Sequence, residues 1–112
     1  MICRVHIFVF LFCSQMFVFS ASAEEVRIAV ATNFLATLKE IVRNFSRDTG
    51  HTVVISSGSS GKFYAQIKHG APFDVFFSAD VKRPHLLEKE GLAILGSRFA
   101  YAVGRLTLWS SD

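Results

Sequence analysis

Three short apolar runs, each followed by small polar or glycine residues and then by apolar residues at helical spacing, constrain this chain more than any other feature. Val26 to Ala31 (Val-Arg-Ile-Ala-Val-Ala) alternates β-branched residues with others and reads as a strand. Thr32-Asn33 interrupts it, and Leu35, Leu38, Ile41, Val42 and Phe45 then recur with the period of a helix. Asn33 is a candidate N-cap of that helix, and Gly50 its stop. Thr52-Val53-Val54-Ile55 reads as a second strand, followed by the run Ser56-Ser57-Gly58-Ser59-Ser60-Gly61. Phe63 and Ile67 share one face of a helix expected from about Gly61 to His69, closed by Gly70 and Pro72. Val75-Phe76-Phe77 is the third strand, and Ser78-Ala79-Asp80 starts a helix that carries Leu86 and Leu87 and ends at Gly91. Phe99 to Trp109 has the pattern of a final strand, interrupted by Gly104.

The order β-α-β-α-β-α-β with short connections indicates an α/β fold. Strands apolar on both faces, alternating with amphipathic helices, imply a parallel β-sheet flanked by helices on each side. No internal repeat or low-complexity linker interrupts the pattern.

The 51% hydrophobic content overstates the core, because part of it lies at the very start. Arg4 and His6 precede an apolar run from Ile7 to Phe19, which leads into Ala21-Ser22-Ala23. A basic start, a short apolar stretch and a small-x-small site are the pattern of a secretory signal peptide. The run falls short of the roughly 20 residues of a transmembrane helix; a buried core helix is the blander alternative. Residues 1–23 are therefore expected to be removed, leaving 24–112 outside the cytoplasm. Cys3 and Cys13 both lie in the segment to be removed, so neither a disulfide nor a thiolate metal site is expected in the mature chain. Phe12 stands where a lipid-anchored Cys13 would need a small neighbour. The net charge of +3 is spread without a basic run, so a nucleic-acid partner is not expected.

In a parallel α/β sheet, ligands sit at the carboxyl ends of the strands, against the first turns of the following helices. Two such places are rich in hydroxyl, amide and glycine groups: Thr32-Asn33 after the first strand and residues 56–61 after the second. A helix N-terminus has about four backbone N–H groups without an intrahelical partner and roughly half a positive charge. Two of these directed at one point form an anion site without Lys or Arg, to which Ser, Thr and Asn add neutral donors. The alternative is that Asn33 and Ser60 only cap their helices.

Other chemistries fit less well. Gly61-Lys62 suggests a phosphate-binding loop, but Ser56 and Phe63 occupy its first glycine and its hydroxyl positions. Gly58-Ser59-Ser60-Gly61-Lys62 fails as a nucleophile elbow because it ends in lysine. His51, His69 and His85 lack metal-ligand spacing and read as surface residues. Asp74 and Asp80 flank the third strand; a catalytic pair is conceivable, but Asp80 suits a helix cap and Asp74 an ordered turn after Pro72.

The runs Ala29-Val30-Ala31-Thr32-Asn33-Phe34, residues 58–67, and Gly70-Ala71-Pro72-Phe73-Asp74-Val75-Phe76-Phe77-Ser78-Ala79-Asp80 resemble the periplasmic molybdate-binding proteins. The similarity continues through residues 86–92 to Trp109-Ser110, and the run ending in Ser-Ala-Asp is its most specific part. The resemblance implies the first lobe of a type II periplasmic-binding-protein fold, in which two α/β lobes close on a tetrahedral oxyanion. It implies binding of molybdate, and tungstate, by a monomer in the periplasm for delivery to an ABC transporter permease in the inner membrane. No cofactor and no catalysis belong to that role. Matched by position, the ligands fall on Asn33, with Thr32 beside it, and on Ser60, with Gly61 contributing backbone only; molybdenum would be held only as molybdate. Many relatives have Ser where Asn33 stands, and a subgroup has the Thr-Asn pair. The resemblance also implies a second lobe, absent from these residues, that adds backbone N–H groups and a tyrosine hydroxyl; Tyr64 and Tyr101 do not match that tyrosine. The rivals are a receptor for another oxyanion such as sulfate, a non-functional truncated fragment, and a secreted hydrolase using Ser60 or Asp80.

Overall fold

A computed structural model describes residues 24–111 and joins the three apolar runs into one parallel sheet. The expected signal peptide, 1–23, lies outside the described residues. The strands are β1 (Glu25–Ala31), β2 (Thr52–Gly58) and β3 (Val75–Phe77), and the helices α1 (Leu35–Thr49), α2 (Ser60–Lys68) and α3 (Lys82–Lys89). A single 3-10 turn, Thr32–Phe34, links β1 to α1.

The strand order is β2-β1-β3, with Ile28 of β1 level with Ile55 on one side and with Val75 on the other. Being central, β1 is covered on both edges and both faces. Its Ala29 and Val30 are wholly buried, which is why an unbroken apolar run occurs there rather than an alternating one. Ile28 and Val30 pack with Leu38 of α1 to form the main core, flanked by Val26, Val42, Val53, Ile55 and Phe77. A fully buried leucine such as Leu38 contributes about 1.5–3 kcal/mol through removal of its apolar surface from water. The small side chains Ala29 and Ala31 alternate onto the other face. There Phe63 of α2 is buried and meets Phe73 and Phe76 edge-on, with ring centroids 5.4 and 6.3 Å away.

The chain runs from β1 to β2 on one side and then crosses to β3 on the other. This reversal beside β1 is the arrangement that opens a crevice at the carboxyl ends of parallel strands. The opposite end is closed by Asp74, whose carboxylate accepts the Arg27 N–H at 2.7 Å while its own N–H donates to the Arg27 carbonyl at 2.8 Å. Asp74 thus splices β3 to β1, a larger role than ordering the turn after Pro72. Helix α1 stops where expected: Gly50 takes the left-handed conformation, φ 75°, which residues with a Cβ rarely adopt.

Four expectations change. Asn33 lies inside the 3-10 turn, and α1 has no side-chain N-cap. Ser59, not Ser60, caps α2, accepting the Lys62 N–H at 3.2 Å. Ile41 and Phe45 are 50% and 40% exposed, because the sheet takes only the Leu38–Val42 stripe of α1; Phe45 stacks on His51 instead. Residues 99–109 form no strand, and Leu106 and Leu108 lie fully in solvent. An alternating pattern becomes a strand only beside a neighbour that takes its N–H and C=O groups, and among the described residues none runs alongside.

Candidate functional site

The crevice at the carboxyl ends of the strands is a wide-mouthed cleft of about 460 Å³. Its wall comes from three places: residues 31–33 after β1, residues 58–61 at the turn into α2, and Ala79, Asp80 and Arg83 around the start of α3. Thr32, Asn33, Ser60 and Gly61, selected from two separate stretches of sequence, all line it.

Ser60 is the first residue of α2 and only 7% exposed. Its Oγ accepts the Ala79 N–H at 2.9 Å, which fixes the hydroxyl between the β2–α2 and β3–α3 turns. That bond uses one lone pair and leaves the hydroxyl proton to be donated. The first N–H groups of α2 have no acceptor within the helix, and they point the same way as its positive dipole end. With Ser59 supplying the cap, Ser60 is released from capping and can serve the cleft.

Asn33 is exposed, lies within the 3-10 turn and lines the same cleft. Thr32 does something else. Its hydroxyl donates to the Gly58 carbonyl at 3.2 Å and receives the Ser57 hydroxyl at 3.4 Å, so it ties the end of β1 to the end of β2. A threonine hydroxyl has a single proton; here the geometry spends it on the scaffold. Gly61, with no side chain, also leaves space on the cleft wall.

That space admits a residue the sequence reading missed. A Cβ on Gly61 would lie 3.2 Å from Arg83 Nη2 and 3.4 Å from Nε, so the guanidinium rests against the first turn of α2. Asp80 holds it there. One carboxylate oxygen of Asp80 accepts the Arg83 backbone N–H at 2.8 Å, and the other pairs with Nη1 of the same residue. Partial burial of Asp80 opposes ionisation, yet the hydrogen bonds and charge of Arg83, with the Lys82 N–H, hold its carboxyl below the usual range. Val81 holds the N-cap position of α3, and Asp80, expected to cap it, reaches the first turn from one residue further out through the Arg83 N–H. Arg83 belongs to no recognised motif; the signal available was Asp-x-x-Arg across the start of a helix, one turn apart.

Tyr101 was also missed. Its ring packs against Phe34 and Phe77, with centroids 4.8 and 5.1 Å away, and its hydroxyl donates to the buried Ser78 carbonyl at 2.8 Å. It braces the turn that carries Ala79 and Asp80; burial raises its pKa.

Ser60 is bonded to a backbone N–H rather than to a base, and no histidine lines the cleft. Asp74 and Asp80 sit beyond opposite ends of β3, each already bonded to an arginine residue, so they do not form an acid–base pair. Among the described residues, no three His, Cys, Asp or Glu side chains come together as a metal site.

Residues 26–112 match the family model described as bacterial extracellular solute-binding protein. The chain is 55% identical over 92 residues to the molybdate-binding protein ModA of Azotobacter vinelandii, a match covering 82% of this chain and 36% of the relative. It is equally similar, 55% over 92 residues with the same coverage, to the molybdate-binding protein ModA of Rhodobacter capsulatus. The solved periplasmic molybdate-binding protein of Azotobacter vinelandii superposes with a TM-score of 0.66 and 56% identity, over 68% of this chain and 33% of that one. The chain thus spans about a third of the length of these relatives.

Proposed function

Because the chain belongs to the bacterial extracellular solute-binding proteins, we propose that it serves as the first lobe of a receptor that captures molybdate, and tungstate. The receptor would be a periplasmic monomer that passes the anion to an ABC transporter permease in the inner membrane. Residues 1–23 would direct export, and a second lobe would complete the site with further backbone N–H groups and a tyrosine hydroxyl.

One observation carries the reading. Asn33 from the β1–α1 turn and Ser60-Gly61 from the start of α2 line one cleft at the switch point of the sheet. The Ser60 hydroxyl and the Asn33 amide can each donate a hydrogen bond there, and the one carboxylate on the wall, Asp80, is already bonded to Arg83. A fully deprotonated tetrahedral dianion accepts hydrogen bonds and donates none, so such a wall complements it. Binding makes and breaks no covalent bond. The names of the relatives supply the choice of anion, and pocket size would have to separate molybdate from the smaller sulfate.

Calorimetric titration of the full chain with molybdate, tungstate and sulfate tests the proposal. Binding of the first two, undisturbed by excess sulfate, is expected. Displacement of molybdate by equimolar sulfate would turn the reading into that of a general oxyanion receptor. Absence of any heat with all three would show that this chain is not itself a receptor.

A further inference from the structure

Arg83 and Asp80 form the only ion pair lining the cleft among the described residues. Both oxygens of the Asp80 carboxylate are occupied by Arg83, one by its backbone N–H and one by its guanidinium. The Nε and Nη2 edge of the same guanidinium lies against Gly61, in the turn into α2 that lines the cleft. We propose that Arg83 is a charge-selecting residue of this site: it cancels the one carboxylate on the cleft wall and so allows dianions to be preferred over monoanions of the same shape. The inference rests on the oxyanion reading above.

The physical basis is simple. A bare carboxylate beside the anion would repel every oxyanion, and a dianion twice as strongly as a monoanion. Paired with Arg83, Asp80 adds no net charge, while the neutral donors of Ser60 and α2 bind either kind of anion. Asp80 in turn is a positioning residue, since it pins the guanidinium on the rim. The side chains of Arg83 and Asp80 are 40% and 32% exposed, so water moderates the effect. For a unit charge about 8 Å from the anion, with an effective dielectric constant of about 40–80, unmasking either member shifts the dianion-to-monoanion preference about two- to sixfold.

The two members act with opposite signs, which makes the proposal testable. Molybdate and perrhenate, tetrahedral anions of charge −2 and −1, are titrated calorimetrically into the full chain and its variants at one ionic strength. Arg83→Gln should lower the ratio of molybdate to perrhenate affinity, Asp80→Asn should raise it, and the double variant should return it to the wild-type value. Arg83→Lys, which keeps the charge, should leave the ratio near wild type, and asparagine at 80 still caps the Arg83 N–H. Far-UV circular dichroism of each variant identifies any that fails to fold, in which case the remaining single variant and Arg83→Lys decide the sign. A ratio unchanged in both single variants, with wild type binding molybdate, overturns this inference and leaves the proposed function standing. A folded wild-type chain that binds neither anion overturns both.

Discussion

Replacing Ser59 and Ser60 by alanine, one at a time, should separate stability from binding at two adjacent positions. Ser59 caps α2 through the Lys62 N–H and is exposed; Ser60 holds the Ala79 N–H and is buried. Loss of a serine N-cap costs about 1 kcal/mol. Loss of the Ser60 hydroxyl strands the Ala79 N–H, which costs about 1–3 kcal/mol when fully buried and toward the lower figure here, where the bond is only partly buried. Both variants should therefore lose a similar, modest amount of stability, equivalent to about 4–8 °C in Tm for a domain of 60–100 residues. Their affinities should differ. A hydrogen bond to a charged group is worth about 1.5–3 kcal/mol, so Ser60→Ala should weaken molybdate binding about 10- to 150-fold. Ser59→Ala should stay within about threefold of wild type, the small change expected when only a helix cap is lost. Thermal unfolding gives the first comparison and calorimetric titration the second. Equal losses of affinity in the two variants would show that Ser60 acts only through the stability of α2, and the assignment of its hydroxyl to the ligand would be refuted.

Four further outcomes follow from the geometry. Asn33→Ala should weaken molybdate binding by about tenfold with little change in Tm, since Asn33 is exposed and no helix depends on it as a cap; unchanged calorimetric affinity would remove it from the site. Lys62→Ala should leave affinity nearly unaltered, because Lys62 is exposed and lies off the cleft wall; complete loss would argue for a site built on lysine charge. Tyr101→Phe should destabilise the chain by about 0.5–1.5 kcal/mol by leaving the buried Ser78 carbonyl without its donor, read by urea denaturation. Although partial burial opposes its ionisation, the Asp80 carboxyl is held below the ordinary carboxylate range by the hydrogen bonds and charge of Arg83. Its stabilising contribution is complete above the unfolded value and lost as pH falls through the folded one, so the Tm difference between wild type and Asp80→Asn should shrink below about pH 4 and persist at neutral pH.

Much of the fold was legible because local pattern and tertiary need agree. The apolar run of β1 required burial on both faces, and the Leu38–Val42 stripe required a sheet to lie on. The left-handed stop at Gly50 was equally local. Where pattern and context part, sequence reasoning failed. Residues 99–109 alternate like a strand, but alternation describes faces and says nothing of whether a neighbouring strand is present. The cap of α2 moved by a single residue, from Ser60 to Ser59, because both are serines and only the backbone decides which lies outside the helix. That shift matters, since it frees Ser60 for the cleft.

The site was legible in the same uneven way. Asn33, Thr32, Ser60 and Gly61 come together because each follows a strand of one parallel sheet, a consequence of topology that spacing alone can anticipate. The division of labour between them could not be anticipated: that Thr32 spends its proton on Gly58 depends on how closely β1 and β2 end beside each other. Arg83 was hidden for a related reason. Its place over Gly61 depends on the packing of α3 against α2, a contact between elements that no single stretch of sequence encodes.

A crystal structure of the full chain grown with molybdate, with data collected across the molybdenum absorption edge, tests the central claim most directly. The account predicts one anomalous peak in the cleft, with molybdate oxygens within hydrogen-bond distance of Ser60 Oγ, the Asn33 side chain and the first N–H groups of α2. A peak elsewhere on the molecule, or none at molybdate concentrations that saturate binding in solution, would contradict it.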